Sequence, residues 1–330
     1  MRDGERRLVG LRAIAAGLIA VGLLVACTPR TSVLNPRGLA AARIADLWWV
    51  MFGLGTAIFI GVMLLLALAL FRRQRDTTPA AGRRLIIGGG IALPVVVISL
   101  LFGMTLWTME ALAARETAIT VRVTGWQWWW EIYYPEEQFY TANEIHIPVG
   151  QPVRFELTSG DVVHNFWIPE LHGKFDLIPG STNSFWLQAD EPGEFRGICA
   201  EFCGEQHARM QFVVVAHPPD EYAAWAAKQQ QPAAVPTDPL LLRGQQLFVG
   251  AACVYCHAVN GTNANSRFGP DLTHLASRRT LAAGVLENNR GNLAGWLLNP
   301  QTIKPGNKMP AVVLKSEEFQ ALLAYLESLE

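Results

Sequence analysis

Hydrophobic and polar residues alternate along this chain in three different ways, and each pattern predicts a different architecture. Residues 1–12 carry Arg2, Arg6, Arg7 and Arg12, and the 14 residues from 13 to 26 are wholly apolar. A basic start before so short an apolar run reads as an export signal, since the run is too short to span a bilayer comfortably. Two longer runs follow, 47–71 and 85–109, each 25 residues without a charged side chain. At about 1.5 Å of rise per residue, both exceed the roughly 30 Å hydrocarbon core and predict two transmembrane helices. Pro94 in the second run is tolerable, because helix kinks in bilayers find compensating partners. From residue 118 onward the pattern changes to short alternating segments. Residues 118–134, 144–150, 152–160, 181–190 and 210–217 each fit a strand bounded by Pro, Gly, Asp or Asn. So many short strands in about 100 residues predict an antiparallel sandwich or Greek-key barrel. Helical segments return at Leu240–Val249 and Ser316–Leu329, after a Pro-, Gln- and Ala-rich linker.

These readings divide the chain into an export signal (1–26), an N-terminal segment with a helical hairpin (27–115), a β-unit (116–217), a linker (218–238) and a helical unit (239–330). The 330 residues are too many for one ordinary domain. Charged residues make up only 17% of them, and the shortage is concentrated in the first 110. A net charge of −1 argues against nucleic acid as a partner. The loop between the two long runs holds Arg72, Arg73, Arg75, Arg83 and Arg84 against only Asp76. Positive loops stay cytoplasmic, so both outer ends of the hairpin and everything after about residue 110 are expected on the extracytoplasmic face. The export signal demands the same orientation.

The cysteines are Cys27, Cys199, Cys203, Cys253 and Cys256, an odd number whose spacings suit ligands and attachment points better than a disulfide framework. Leu24-Val25-Ala26-Cys27 resembles a bacterial lipobox, which implies cleavage before Cys27 and lipid attachment to its sulfur. In the β-unit, Cys199, Cys203, His207 and Met210 fall within twelve residues, and His164 lies 35 residues before Cys199. Two thiolates, two imidazoles and a thioether form a soft donor set that suits copper. Zinc would accept two Cys and two His, but the added methionine and the β-setting favour copper. A Cys–Cys disulfide with incidental histidines is the plain alternative.

Asp161-Val-Val-His164, Phe175-Asp176-Leu-Ile-Pro-Gly180 and Cys199-Ala-Glu-Phe-Cys203-Gly-Glu-Gln-His207-Ala-Arg-Met210 together resemble subunit II of the haem–copper cytochrome c oxidases. The resemblance implies a cupredoxin-like antiparallel β-sandwich holding a binuclear copper A centre. It makes Cys199 and Cys203 the bridging thiolates, His164 and His207 the terminal imidazoles, Met210 a weak axial ligand and Glu201 a ligand through its carbonyl. The Glu201 side chain is expected at a magnesium ion shared with subunit I. Two bridging sulfurs would spread one electron over two metals, so that little reorganises on transfer. The aromatic run Trp126, Trp128, Trp129, Trp130, Tyr133 and Tyr134 suits core and interface filling. The resemblance identifies Trp128 with the family's electron-accepting tryptophan.

Cys253-Val-Tyr-Cys256-His257 reads as a site of covalent haem attachment. Alone it could be half a zinc site or a redox pair. Gly269-Pro270-Asp271-Leu272 and the later Asn299-Pro300, Lys304-Pro305-Gly306 and Lys308-Met309-Pro310 decide otherwise, because they resemble class I cytochromes c. That likeness implies an all-α cytochrome c unit with haem c bound through Cys253 and Cys256. His257 and Met309 would be its axial pair, a combination that raises the potential. The remaining histidines, His146, His172, His217 and His274, read as surface or loop residues.

The expectation is therefore a multidomain membrane protein: subunit II of a proton-pumping oxidase that carries its own cytochrome c unit. Its expected partners are oxidase subunits I and III, membrane lipid, and an external donor such as a cytochrome c or a quinol–cytochrome c reductase complex. Reduction of oxygen belongs to subunit I, because three histidines are committed and the other four show no haem–copper clustering. A quinol-oxidising relative is excluded, since those lose the copper ligands. Two rivals stand beside this reading: a component of a nitric oxide or nitrous oxide reductase, and a lipid-anchored relay without a catalytic partner. Two departures from the family are visible. Ile87 stands where a glutamate often feeds a proton path, with no acid between Asp76 and Glu110, and Ser181 stands where arginine is common.

Overall fold

The computed structural model describes residues 31–71, 79–113 and 116–330. The export signal, Cys27 and the Arg72, Arg73, Arg75 and Asp76 part of the connecting loop lie outside the described residues. The first long helix, Leu39–Phe71, begins eight residues before the apolar run that predicts it. Its extra turns carry Ala40, Ala41 and Ala45, which are buried, and small side chains there let the helix approach the β-unit closely. Ala41 N donates to the Leu171 carbonyl and Arg37 N to the Glu170 carbonyl. The second helix runs from Pro79 to Ile87, widens to a π-turn at Gly88–Ala92, and continues as Leu93–Ala111. Pro94 has no N–H to give and its ring crowds the carbonyl four residues earlier, which the wider turn through three glycines relieves. This helix is tied to the β-unit at its outer end, where Trp186 Nε1 donates to the Leu112 and Ala113 carbonyls. Both helices are long and apolar enough to cross a membrane, and each meets the β-unit at one end.

Ten strands form two facing sheets. They are β1 (Thr120–Trp126), β2 (Trp129–Tyr134), β3 (Phe139–Ala142), β4 (Glu144–Pro148), β5 (Val153–Ser159), β6 (His164–Trp167), β7 (Phe175–Leu177), β8 (Asn183–Leu187), β9 (Gly193–Cys199) and β10 (Gln211–His217). One sheet has the order β3-β2-β1-β5-β8 and the other β4-β10-β9-β6-β7. Most pairings are antiparallel, but β1–β5 and β4–β10 are parallel. Alternate residues of β1, β2 and β5 point inward, and Val121, Val123, Trp130, Ile132, Phe155 and Leu157 fill the core with Phe166 and Phe212 from the other sheet. The segment 118–134 is not one strand: it folds at Gln127–Trp128 into the β1–β2 hairpin.

A helix, Pro219–Gln229, occupies part of the segment rich in Pro, Gln and Ala. It packs on the β-unit through Tyr222 and Ala226. Beyond it, helices Pro239–Gly250, Arg290–Leu298 and Ser316–Glu327 enclose a second, separate core around Phe248, Leu293, Leu322 and Tyr325. Asp238 caps the first of these, its carboxylate accepting from Leu240 N at 2.7 Å. The first and last helices of this unit cross at Gly244, where any Cβ would collide with the Ala321 carbonyl and Tyr325.

Candidate functional sites: a thiol cleft and an apolar cavity

The thiol cleft is assembled from three chain segments at one end of the sandwich. His164 opens β6, Cys199 closes β9, and a loop from Ala200 to Met210 brings the rest. That loop is closed by Cys199 N donating to the Met210 carbonyl at 2.9 Å and Ala200 N to the Asn165 carbonyl at 3.0 Å. Within it, the Cys199 and Cys203 sulfurs lie 3.7 Å apart, far beyond the roughly 2.05 Å of a disulfide. Cys199 Sγ is 3.9 Å from His164 Nδ1, and Cys203 Sγ is 3.8 Å from both His207 Nδ1 and Met210 Sδ. The Glu201 carbonyl lies 3.2 Å from Cys199 Sγ, while its side chain is exposed. His164, Cys199, Cys203 and Met210 are buried and His207 is half-buried. All six residues singled out in the sequence are thus brought together. Soft donors converging at this spacing, with most of their surface withdrawn from water, fit copper.

The electrostatics favour one ready thiolate. The hydrogen-bonded contact with Cys203 holds the Cys199 thiol well below its ordinary value against the opposing effect of burial, with His164 adding to the pull. Cys203 is pushed the other way by that same neighbour and by burial. Metal binding must therefore displace its proton. His164 is opposed by burial but raised overall by Cys199 and Asp161. Two residues outside the sequence expectation prepare the cleft. Asp161 accepts from His164 Nε2 at 2.9 Å and from Gln127 N at 2.7 Å, fixing the ring so that Nδ1 faces the sulfurs. Gly125 leaves room for the imidazole, since a Cβ there would lie 2.8 Å from His164 Cδ2.

The second site is a cavity of about 770 Å³ in the helical unit. Cys253 and Cys256 stand in a short 3₁₀ turn at its wall, with His257 and Met309 also lining it. His257 Nδ1 lies 2.7 Å from the Pro270 carbonyl, which makes that nitrogen the donor and leaves Nε2 as the lone-pair nitrogen. Burial lowers the ring's affinity for a proton, with the Pro270 contact opposing, so the neutral form prevails. An apolar void walled by Phe248, Leu272, Leu281 and Leu297, two thiols and an unprotonated imidazole fit a covalently bound haem.

The two sites share a wall. Trp126, Trp128 and Trp129 of the β1–β2 turn also line the cavity. Trp128 Nε1 donates to the Cys203 carbonyl at 3.0 Å, and Gln127 Nε2 to the same oxygen at 2.8 Å. Further bonds join the two units: Gln211 N donates to the Ala283 carbonyl, Arg279 pairs with Glu144 and Glu194, and the Arg267 guanidinium covers the Tyr140 ring at 3.6 Å.

Of the four remaining histidines, which the sequence suggests are surface or loop residues, His172 and His274 do lie in loops, but none is exposed, and His146 and His217 stand in β4 and β10. His146, His172 and His274 are buried, and His217 is half-buried at the end of β10. His146 bonds His217 at 2.7 Å and stacks on Trp225 at 4.0 Å, while His274 bonds the carbonyls of Glu330, Gln229 and Gln231. Polar neighbours made burial tolerable in each of these cases, and strand alternation alone does not reveal such partners. Among the described residues, the one cluster with metal-ligand spacing is His164, Cys199 and Cys203.

A copper-suited cleft on a cupredoxin-like sandwich, followed by a haem-suited helical unit, defines a class of membrane-anchored redox subunit. Residues 137–217 match the family model for the cytochrome c oxidase subunit II periplasmic domain, and residues 241–330 match that for cytochrome c. Residues 12–119 also match a model for the 4TM region of DNA translocase FtsK/SpoIIIE, over the stretch that contains both long apolar helices. Cytochrome c oxidase subunit 2 of Alkalihalophilus pseudofirmus is 46% identical over 216 residues, covering 65% of this chain and 62% of that one. The protein of the same name from Bacillus subtilis is 32% identical over 340 residues, covering 93% of this chain and 94% of that one. The solved periplasmic domain of subunit II of cytochrome oxidase from Bradyrhizobium japonicum is 30% identical, covering 36% of this chain and 97% of its own, with a TM-score of 0.35. The chain belongs to the cytochrome c oxidase subunit II family, in a form with a C-terminal cytochrome c unit. Copper A and haem c are the groups its two matched units imply.

Proposed function

We propose that the chain is the electron-accepting subunit of a proton-pumping terminal oxidase that reduces oxygen to water. It takes electrons at a haem c held by Cys253, Cys256, His257 and Met309, and passes them to a copper pair held by Cys199, Cys203, His164, His207, Met210 and the Glu201 carbonyl. It then delivers them to the haem–copper centre of subunit I. When bound, the two groups supply reversible one-electron carriers. The chain's own residues hold them, exclude water and set their separation. The exposed Glu201 side chain is free to reach a magnesium ion at the boundary with subunit I.

The observation that carries this reading is Trp128, which lines the cavity on one side and is hydrogen-bonded to Cys203 on the other. The proposed layout keeps the divisions 27–115, 116–217, 218–238 and 239–330, with Cys27 lipidated after removal of 1–26. The arrangement is that of a bacterial inner-membrane protein whose copper and haem units stand on the extracytoplasmic face beside subunits I and III. An external cytochrome c or a quinol–cytochrome c reductase complex supplies its electrons. Purification of the intact complex tests this. A mixed-valence two-copper paramagnetic signal, a low-spin haem and oxygen uptake with reduced cytochrome c are expected. Reduction of nitrogen oxides without oxygen uptake, or a copper–haem protein that purifies alone and active with neither, would point to the rival readings.

A further inference from the structure

The residues just ahead of Met309 are stitched to the loop that carries His207. Arg209 donates to the Ile303 carbonyl, and Gln206 Nε2 donates to the Pro305 carbonyl at 2.7 Å. Gly306, with φ of +78°, lies so near that a Cβ on it would stand 2.5 Å from the Glu205 carboxylate and 3.6 Å from the Trp128 ring. Gln206 and Arg209 flank His207 in sequence, so two prospective metal-ligand loops, one from each unit, are laid side by side.

Lys304 sits in the middle of this seam and differs from every other lysine of the chain. Lys174, Lys228, Lys308 and Lys315 are exposed, whereas Lys304 is 3% exposed. Its ammonium donates to the Trp128 carbonyl at 2.8 Å and to the Ala282 carbonyl at 3.1 Å, one acceptor from each unit. No carboxylate among the described residues forms an ion pair with it. An ammonium without a counter-charge is costly to bury, and the cost is offset only by well-placed acceptors. Those acceptors exist together only while the cytochrome unit is seated. Burial accordingly pulls Lys304 down to about 7. Trp128 is then held at both ends, its carbonyl by Lys304 and its indole N–H by the Cys203 carbonyl.

We infer that Lys304 is a positioning residue for haem-to-copper electron transfer: it pins the Met309 loop to the backbone of Trp128 and so fixes the separation of the two centres. The inference rests on the electron path proposed above. It is tested in the assembled, copper- and haem-loaded complex in two ways. In the unaltered protein, acetylation with an N-hydroxysuccinimide ester is read residue by residue by mass spectrometry. Lys304 is expected to react about tenfold or more slower than Lys308 and Lys315 on the same unit, as a protected group should. Reaction at their rate overturns the inference.

In the second test the haem is photoreduced and copper reduction is followed in wild type, Lys304→Met and Lys304→Arg. Lys304→Met is expected to slow transfer by about tenfold or more with haem and copper spectra unchanged, since small misplacements of reacting partners are costly. Lys304→Arg, which keeps the charge and the donors, recovers part of the rate. Should Lys304→Met fail to load its metals, the acetylation result decides alone. A Lys304→Met rate within about twofold of wild type overturns this role and leaves the electron path standing. Absence of haem-to-copper transfer in wild type overturns the path, and the role with it.

Discussion

The thiol cleft and the haem cavity solve the same problem, holding a redox metal away from water, by opposite means. In the cleft the protein supplies the donors and leaves almost no room: the neighbouring sulfur and nitrogen atoms stand 3.7–3.9 Å apart on a rigid sheet end. In the helical unit it supplies few donors and a void of about 770 Å³, because the group itself brings most of the surface. The cleft is thus preorganised by backbone hydrogen bonds and by Asp161, whereas the cavity needs its occupant to complete a core. The two should fail differently.

The largest expected effects separate the sites outright. Cys203→Ser removes one sulfur of the pair and is expected to abolish the two-copper signal while haem absorbance persists. Cys256→Ala is expected to do the reverse, losing stable haem with copper retained. Metal analysis and optical spectra of each variant check both, and loss of both groups in either variant would break the comparison. Met309→Leu is milder: haem remains attached through its thioethers, but its potential falls, because a thioether ligand is what raises it. Redox titration reads this directly.

Acid tests the β-unit as a whole. Burial holds His172 at about 4, while His146 and His217 are also lowered, chiefly by burial. A histidine whose proton affinity is lower in the folded state is destabilising wherever the unfolded chain binds more protons. Stability is therefore full above pH 6.5 and falls as pH drops from 6.5 to about 4, by roughly 3 kcal/mol for His172 alone. Thermal unfolding at pH 7 and pH 4.5, with and without His172→Phe, measures it, and no difference between them would remove the argument. The smallest effect expected is that of Gly125→Ala, where the added methyl crowds His164 and costs about 1–3 kcal/mol by overpacking. It should weaken copper retention more than it disturbs the haem spectrum.

Much of this was legible because its chemistry is local in sequence. Cys253 to His257 and Cys199 to Met210 are short, dense motifs, and the apolar runs declare the helices by length alone. What stayed hidden depends on contacts between distant segments. The strands β3, β6 and β7 are only three or four residues long, too short for alternation to declare them. The break at Gln127–Trp128 lies inside a run of aromatics that reads as a single strand. The buried histidines owe their places to partners such as Trp225 and Glu330, which no periodicity connects to them. Asp161 stands in the same short motif as His164, but its grip on His164 Nε2 is set by the fold. Lys304 was likewise visible only as part of a cytochrome c signature, because its acceptor Trp128 is 176 positions away.

The helix Pro219–Gln229 has a kinetic consequence. Trp225 stacks on His146 and Tyr222 bonds Glu137, so this helix travels with the sandwich, and the connection shrinks to the residues from Gln230 to Asp238, of which Gln231 and Ala233 are themselves bonded to the helical unit. So short a leash reaches about 30 Å when fully stretched. It keeps the helical unit at an effective concentration of the order of millimolar beside the sandwich. On the proposed electron path, dilution of the complex would therefore leave the internal step untouched, and only the encounter with an outside reductant would depend on how much of it is present.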